Sequence, residues 1–389
     1  MEEEIVIKNI KFQDTTLRDG EQTPGIAFSL QDKIVMIDML CKLNLNSIEL
    51  GFPAASKEEA EIVKEIAVRN TGLNNIFCVF ARAIESDIDI AYESIKEANC
   101  QRIQIVAPAS DLHIIHSTRK DKASLLKDVE IAIQFASSKF TDIQFTAQDA
   151  PRADINFLKE LIGVAIKNGA KTICLPDTAG FCLPQEYGEL IKNIKEYIAS
   201  DKILLAAHCH NDLGLAVANT ISAIEAGVGQ VECTINGIGE RAGNTPMEEV
   251  AAIMNLKYKN SYSNNINLKY FKQTSAQLES VINMKIHFNK PLFGRNVFLH
   301  SSGMHQKAII ENKETFEVIN AETFGIEGGK ISIGKLSGSA GIKYFLDKLD
   351  ISINDQELKK LVFFIKKESI NIKEFDINSI KKIISNLNR

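Results

Sequence analysis

His208 and His210 stand one residue apart after an apolar run at 202–207. Two other segments put charged or amide residues where apolar runs end: 14–22, with Arg18 and Asp19, and 236–244, with Glu240, Arg241 and Asn244. An extended chain sends alternate side chains to one side, so both imidazoles face the same way. Two imidazoles and a carboxylate suffice for a divalent-metal site that keeps positions open for a substrate. A His-x-His pair alone serves as well to close a strand with polar groups, so the metal reading rests on the three segments converging. Cys209, between the histidines, faces the opposite way and reads as core filler.

The elements that must bring these segments together repeat one rhythm from residue 11 to about 257: apolar run, polar turn, amphipathic helix. Strands are expected at 10–14, 47–50, 76–79, 102–106, 142–146, 172–175, 203–207 and 230–235. The first helix starts after Ser29, with Asp32 completing a capping signal and Ile34, Ile37 and Cys41 on one side. Eight strands alternating with helices over about 250 residues predict a closed parallel (β/α)8 TIM barrel. Its chemistry belongs at the C-terminal strand ends, where all three segments fall. The Asn-rich run at 259–265 reads as a linker. The expected organisation is therefore an α/β barrel over 1–258 and a smaller, mainly helical C-terminal appendage. That appendage comprises a subdomain at 259–349 and a Lys-rich amphipathic helical part at 350–389. Glycines at 325–338 suit turns or, through their N–H groups, a phosphate-bearing ligand.

A net charge of -5 over 389 residues carries no basic footprint for nucleic acid. No apolar stretch is long enough to span a bilayer, and Met1-Glu2-Glu3-Glu4 is acidic where a signal peptide is basic. Seven cysteines without a Cys-x-x-Cys pair indicate reduced thiols and a cytoplasmic location.

From about Phe12 to Leu349 the chain resembles the 2-isopropylmalate synthases. These belong to a wider group of metal-dependent, HMG-CoA lyase-like barrels that includes homocitrate and citramalate synthases. The resemblance is carried by 14–22, Gly51-Phe52-Pro53, Pro176-Asp177-Thr178, 208–213, 236–244 and 300–306. It implies condensation of acetyl-CoA with a small 2-oxo acid, 3-methyl-2-oxobutanoate first among them, in leucine biosynthesis. It also implies that Asp19, His208 and His210 hold the metal with Asn244 as a further ligand, and that Arg18, His305 and Glu240 act in catalysis. Arg18, Thr178, His113, Gln148 and Gln144 would face the substrate. Imidazole and oxygen ligands admit Mg, Mn, Zn or Co alike. In this family the appended region reaches over a neighbouring subunit, so a homodimer completing its sites in trans is expected. The resemblance is to a short form without the C-terminal domain that senses leucine, so no feedback through such a domain is expected.

Arg18 has a plainer alternative, a barrel-mouth ion pair with Glu21 or Glu240. For Glu240 and Arg241, between Gly239 and Gly243, support of a tight loop is as good a reading as chemistry. The chain departs from the family's pattern at Gln148 and Gln144, where carboxylates are usual, at Phe316, where a tyrosine is usual, and at Leu336, where a histidine is common. An amide cannot take up a proton as a carboxylate does. Two alternatives follow: a homocitrate or citramalate synthase-like enzyme, the former disfavoured by neutral Gln144, and a weakly active homologue that binds metal and ligand.

Overall fold

The computed structural model describes residues 8–71, 75–372 and 375–387. The chain divides into two compact units, Met1–Met284 and Lys285–Arg389. No described helix is long and apolar enough to cross a membrane.

The first unit is a closed barrel of eight parallel strands. They are β1 (Lys11–Asp14), β2 (Ser47–Glu49), β3 (Ile76–Arg82), β4 (Gln101–Pro108), β5 (Ile143–Gln148), β6 (Thr172–Asp177), β7 (Leu204–Cys209) and β8 (Gln230–Cys233). Gln13 of β1 is in register with Ser47 on one side and with Glu232 on the other, which closes the ring. Eight helices alternate with the strands: α1 (Leu30–Lys42), α2 (Lys57–Arg69), α3 (Glu85–Ile95), α4 (Lys122–Ser137), α5 (Ile155–Lys167), α6 (Pro184–Ile198), α7 (Ala216–Ala226) and α8 (Met247–Lys257). Strands covered by helices outside and packed inside are buried on both faces, as β6 is at every position.

All eight expected strands form, but β3 to β7 run on two or three residues further at their C-terminal ends. Polar residues such as Gln148 and His208 continue the ladder there. At a barrel mouth an inward side chain meets other polar groups, so polarity does not end the strand.

Helix α1 begins as expected, with Ser29 and Asp32 in a reciprocal capping box. Its buried stripe differs: Lys33, Met36, Ile37 and Leu40 are buried, while Ile34 and Cys41 are partly exposed. Lys33 belongs there because its ammonium is fully paired, donating to Leu50 O at 3.0 Å and Glu59 Oε1 at 2.6 Å, with Glu21 Oε2 at 3.1 Å. A buried charge persists only with such partners.

The division of the chain differs from the expected boundaries in two places. Residues 259–284 belong to the first unit: Tyr262–Ser263 pairs with Lys8–Asn9, and α9 (Phe271–Ile282) packs on α1 with Phe271 and Leu278 buried. Residues 285–389 then form one body, because Ile333, Ile342 and Leu346 share a core with Leu361, Ile365, Phe375, Ile380 and Ile383. This second unit contains α10 (Gly303–Glu311), α11 (Ser339–Asp347), α12 (Asp355–Glu368), α13 (Ile377–Leu387) and a short parallel pairing of Leu299–His300 with Lys330–Ile331. Its glycine-rich stretch is used for turns: Gly325 and Gly329 have positive φ, and the Gly329 N–H is taken by Glu317 Oε1 at 2.8 Å.

Candidate metal centre and active site

His208, the fifth residue of β7, and His210, just beyond it, project inward. Their Nε2 atoms lie 3.3 Å apart, and Asp19 Oδ2 lies 3.2 Å from the first and 3.9 Å from the second. One donor atom from each of the three lies within 4.8 Å of the others, and all three residues are buried. Asn244 joins them, its Nδ2 donating to Asp19 Oδ2 at 2.7 Å while its Oδ1 is buried without a partner. The loop reaches this position through Gly243, at φ +90°, where a Cβ would fall 2.1 Å from Gly237 O.

The chemistry of this donor set fits a divalent ion. Two ring nitrogens facing each other across a carboxylate cannot all be satisfied by one another, and an unpaired amide oxygen stands beside them. Glu232 Oε2 sits 3.0 Å from His208 Nδ1. That contact places the proton on Nδ1 and leaves Nε2 as a ligand, the usual carboxylate–histidine support of a metal. Without an ion, charge is shared unequally among the three. Burial works against the protonated form of His208, but hydrogen bonds accepted by Asp19 and Glu232 overcome it and raise its pKa to about 9. Burial and the neighbouring His208 lower His210 to about 3. Burial opposes ionisation of Asp19, yet Arg18 and then His208 hold its carboxyl well below the ordinary range.

A cavity of about 460 Å³ opens onto this cluster, its wall including Arg18, His113, Gln148, Thr178, Glu240 and Arg241. Arg18 is held in place. Its Nε donates to Glu49 Oε2 at 2.7 Å, Asp19 Oδ1 lies 3.4 Å from Nη1, and its Cζ lies 4.8 Å from the Phe80 ring centroid. Its partner is thus Glu49, a residue overlooked in the sequence, and neither Glu21 nor Glu240. Glu21 is engaged by Lys33. Arg241 makes a two-point pair with Asp212 and donates to Thr178 O at 2.7 Å, which braces the loop beside Glu240.

Gln148 and Thr178 line the cavity, and so does His113, from the segment after β4. Gln144 does not. It is fully buried, donating to Gln104 Oε1 and Glu232 Oε1 and accepting from Arg102 Nη1 and Gln230 Nε2. The expectation that Gln144 faces the substrate is corrected accordingly: its amide is consumed by neighbours inside the barrel.

His305 lies on α10 in the second unit. Its ring stacks on Phe316, with centroids 3.8 Å apart, and is 6.5 Å from His300, whose Nε2 meets Glu317 Oε1 at 2.9 Å.

Fold and site together define a (β/α)8 barrel with, at its C-terminal face, an inward cluster of two histidines and an aspartate that could hold a metal ion. The HMGL-like family model matches residues 9–278, and the homocitrate synthase post-HMGL domain-like model matches 292–372. The chain belongs to the HMGL-like family. Among its members it is similar to 2-isopropylmalate synthases. That of Dictyoglomus turgidum is 41% identical over 375 residues, 96% of this chain and 74% of the relative. That of Oceanobacillus iheyensis is 41% identical over 357 residues, 91% and 68% respectively. The hydroxymethylglutaryl-CoA lyase of Pseudomonas aeruginosa shares the fold with a TM-score of 0.62 at 18% identity, over 72% of this chain and 96% of that one.

Proposed function

We propose that this protein is an acyl-CoA-dependent transferase that condenses acetyl-CoA with 3-methyl-2-oxobutanoate and hydrolyses the thioester, giving 2-isopropylmalate for leucine biosynthesis. The observation that carries the reading is the Asp19, His208 and His210 cluster opening into a cavity that also presents Arg18, Thr178 and His113. Asp19, His208 and His210 would hold a divalent ion, which would supply Lewis acidity toward the acceptor's ketone.

The chain's own residues do the rest. Arg18, fixed by Glu49 and always cationic, offers positive charge where the ketone oxygen gains negative charge as the carbon–carbon bond forms. Thr178 and His113 present hydrogen-bonding groups to the acceptor's carboxylate. Glu232 keeps His208 in the tautomer that leaves Nε2 free. A methyl proton of the acetyl group must be removed, and the Gln148 amide cannot accept it. We assign His305 to that catalytic machinery, delivered by a neighbouring subunit of a homodimer. Glu240, on the braced loop, assists at the cavity wall. A cytoplasmic setting suits its seven free thiols.

Neutral Gln148 in the cavity wall supports a second reading, a homologue that binds metal and ligand but turns over slowly. Thiol release from acetyl-CoA, measured with a panel of 2-oxo acids and Mg, Mn, Zn or Co, separates the readings. Metal-dependent release fastest with 3-methyl-2-oxobutanoate is expected. Preference for pyruvate or 2-oxoglutarate would move the assignment to a citramalate or homocitrate synthase-like enzyme, and metal binding without release would favour the second reading. Sedimentation checks the dimer.

A further inference from the structure

Asp149 follows β5 with φ 63°, in the left-handed region that an aspartate tolerates but few other side chains do. It is fully buried, and donors from two other segments converge on its carboxylate. Ser110 Oγ donates to Oδ2, His113 Nδ1 lies 2.9 Å from Oδ2, and Arg152 Nε reaches Oδ1 at 2.8 Å and Oδ2 at 3.0 Å. Its backbone N–H donates to Thr178 Oγ1 at 2.9 Å. One residue thereby ties together the chain after β4, after β5 and after β6. His113 and Thr178 both line the cavity, whereas Asp149 does not.

We propose that Asp149 is a positioning residue that fixes His113 as the Nδ1–H tautomer, leaves its Nε2 for the acceptor acid, and orients the Thr178 hydroxyl. The donor and acceptor inventory leads there. An ionised carboxylate only accepts, so the His113 nitrogen against it carries the proton. Ser110 Oγ, 3.1 Å from the same nitrogen, has already given its hydrogen to Asp149 and is also an acceptor there. Thr178 Oγ1 accepts the Asp149 N–H, so its own hydrogen is available to a ligand in the cavity it lines. The turned backbone at 149 aims N–H and carboxylate at different neighbours at once.

The inference rests on the reading of His113 and Thr178 as acceptor-acid contacts, and Asp149→Asn tests the two separately. Asparagine tolerates the same backbone. Arg152 is an obligatory donor, so the amide oxygen stays with it and the NH2 turns to His113. His113 then has to accept, and its proton moves to Nε2. The measurement is ¹⁵N NMR of histidine-labelled full-length enzyme without substrate, with His113 assigned by its loss in His113→Gln. The wild type is expected as Nδ1–H and Asp149→Asn as mainly Nε2–H, with KM for the 2-oxo acid raised roughly tenfold or more and KM for acetyl-CoA unchanged. A wild-type His113 carrying its proton on Nε2 overturns the proposal, whether or not the variant folds. So does a folded Asp149→Asn enzyme whose tautomer is unchanged. A switched tautomer with unchanged 2-oxo-acid KM upholds Asp149 as the positioning group and overturns the assignment of His113 to the acceptor.

Discussion

The barrel interior holds two polar layers built from similar residue types and bonded in opposite ways. Nearer the N-terminal ends of the strands, Arg102 donates to Gln13 Oε1 at 3.1 Å, to Gln230 Oε1 at 2.7 Å and to Gln144 Oε1 at 3.4 Å. Gln13 and Gln144 turn their amide nitrogens toward Gln104 and Glu232. Arginine charge thus reaches Glu232 through two aligned amides. Among the described residues, no side-chain nitrogen or oxygen of this lower layer is buried without a partner. In the upper layer Thr146 Oγ1, His210 Nδ1, Asn244 Oδ1 and Glu49 Oε1 all are. Buried polar groups are ordinarily satisfied. Within the barrel interior, then, buried polarity by itself marks nothing, whereas unspent bonding capacity distinguishes the layer at the cavity.

The largest effect expected of any change that sharpens this contrast belongs to His208. In His208→Ala the triad keeps one imidazole and one carboxylate, too few to hold an ion firmly. Bound metal should be lost, and kcat/KM should fall by about 10³-fold or more, beyond the 10²–10³ typical of losing one oriented donor. Metal content after gel filtration, read beside thiol-release kinetics, checks this. Full metal content with full turnover would remove the triad from the mechanism.

A smaller effect in the opposite direction is expected at two of the departures from the family's pattern. Gln148 lines the cavity, and Phe316 stacks on His305. A carboxylate and a hydroxyl at these places restore groups able to hold or relay a proton, and such groups are worth about 10²–10⁴-fold when well placed. Gln148→Glu combined with Phe316→Tyr should therefore raise kcat on 3-methyl-2-oxobutanoate, by about tenfold at least. Slower turnover on that acid, together with a fast wild-type reaction on another, would show the two residues to be adaptations to a different acceptor.

Why one of these positions reaches the cavity and another does not explains how much of the molecule could be read in advance. The barrel was legible because every apolar run and every amphipathic helix repeats the same period, and the triad because its ligands close two such runs, with Asn244 following a third. Depth along a strand was not legible. Gln144 and Gln148 share a parity, so both face inward, but four residues of strand separate them by roughly 13 Å. One therefore stands in the lower layer and the other at the mouth. Partners were hidden for a related reason. Glu49 and Glu232 are single acids inside apolar strands, and only closure of the ring sets them against Arg18 and His208. Asp149 was passed over because its neighbour Gln148 carried the departure from the pattern.

The smallest effect on catalysis, and the sharpest test of the two-layer distinction, belongs to Gln144→Glu. Were position 144 part of the substrate wall, a new carboxylate there would alter which 2-oxo acid is accepted. In the lower layer it can do no such thing. It removes two donations, leaving Gln13 Nε2 as the remaining amide donor to Glu232 Oε1 and Gln104 Oε1, and sets one carboxylate against another. Arg102 Nη1, already shared with Gln13 and Gln230, offsets only part of that. A loss of about 1–3 kcal/mol is expected for the two lost donations. The sign with pH follows from burial. A carboxyl fully buried against Glu232, with Gln230 and a shared Arg102 nitrogen as its donors, has its folded pKa raised above the unfolded value of about 4.3, so its neutral form suits the fold. The stability deficit should therefore be least in acid and grow as pH rises through the raised pKa. Denaturant midpoints across pH, measured beside kcat/KM on several oxo acids, decide the matter. Lowered stability with unchanged acceptor ranking keeps Gln144 in the closed layer, whereas a re-ordered acceptor preference at unchanged stability would return it to the site.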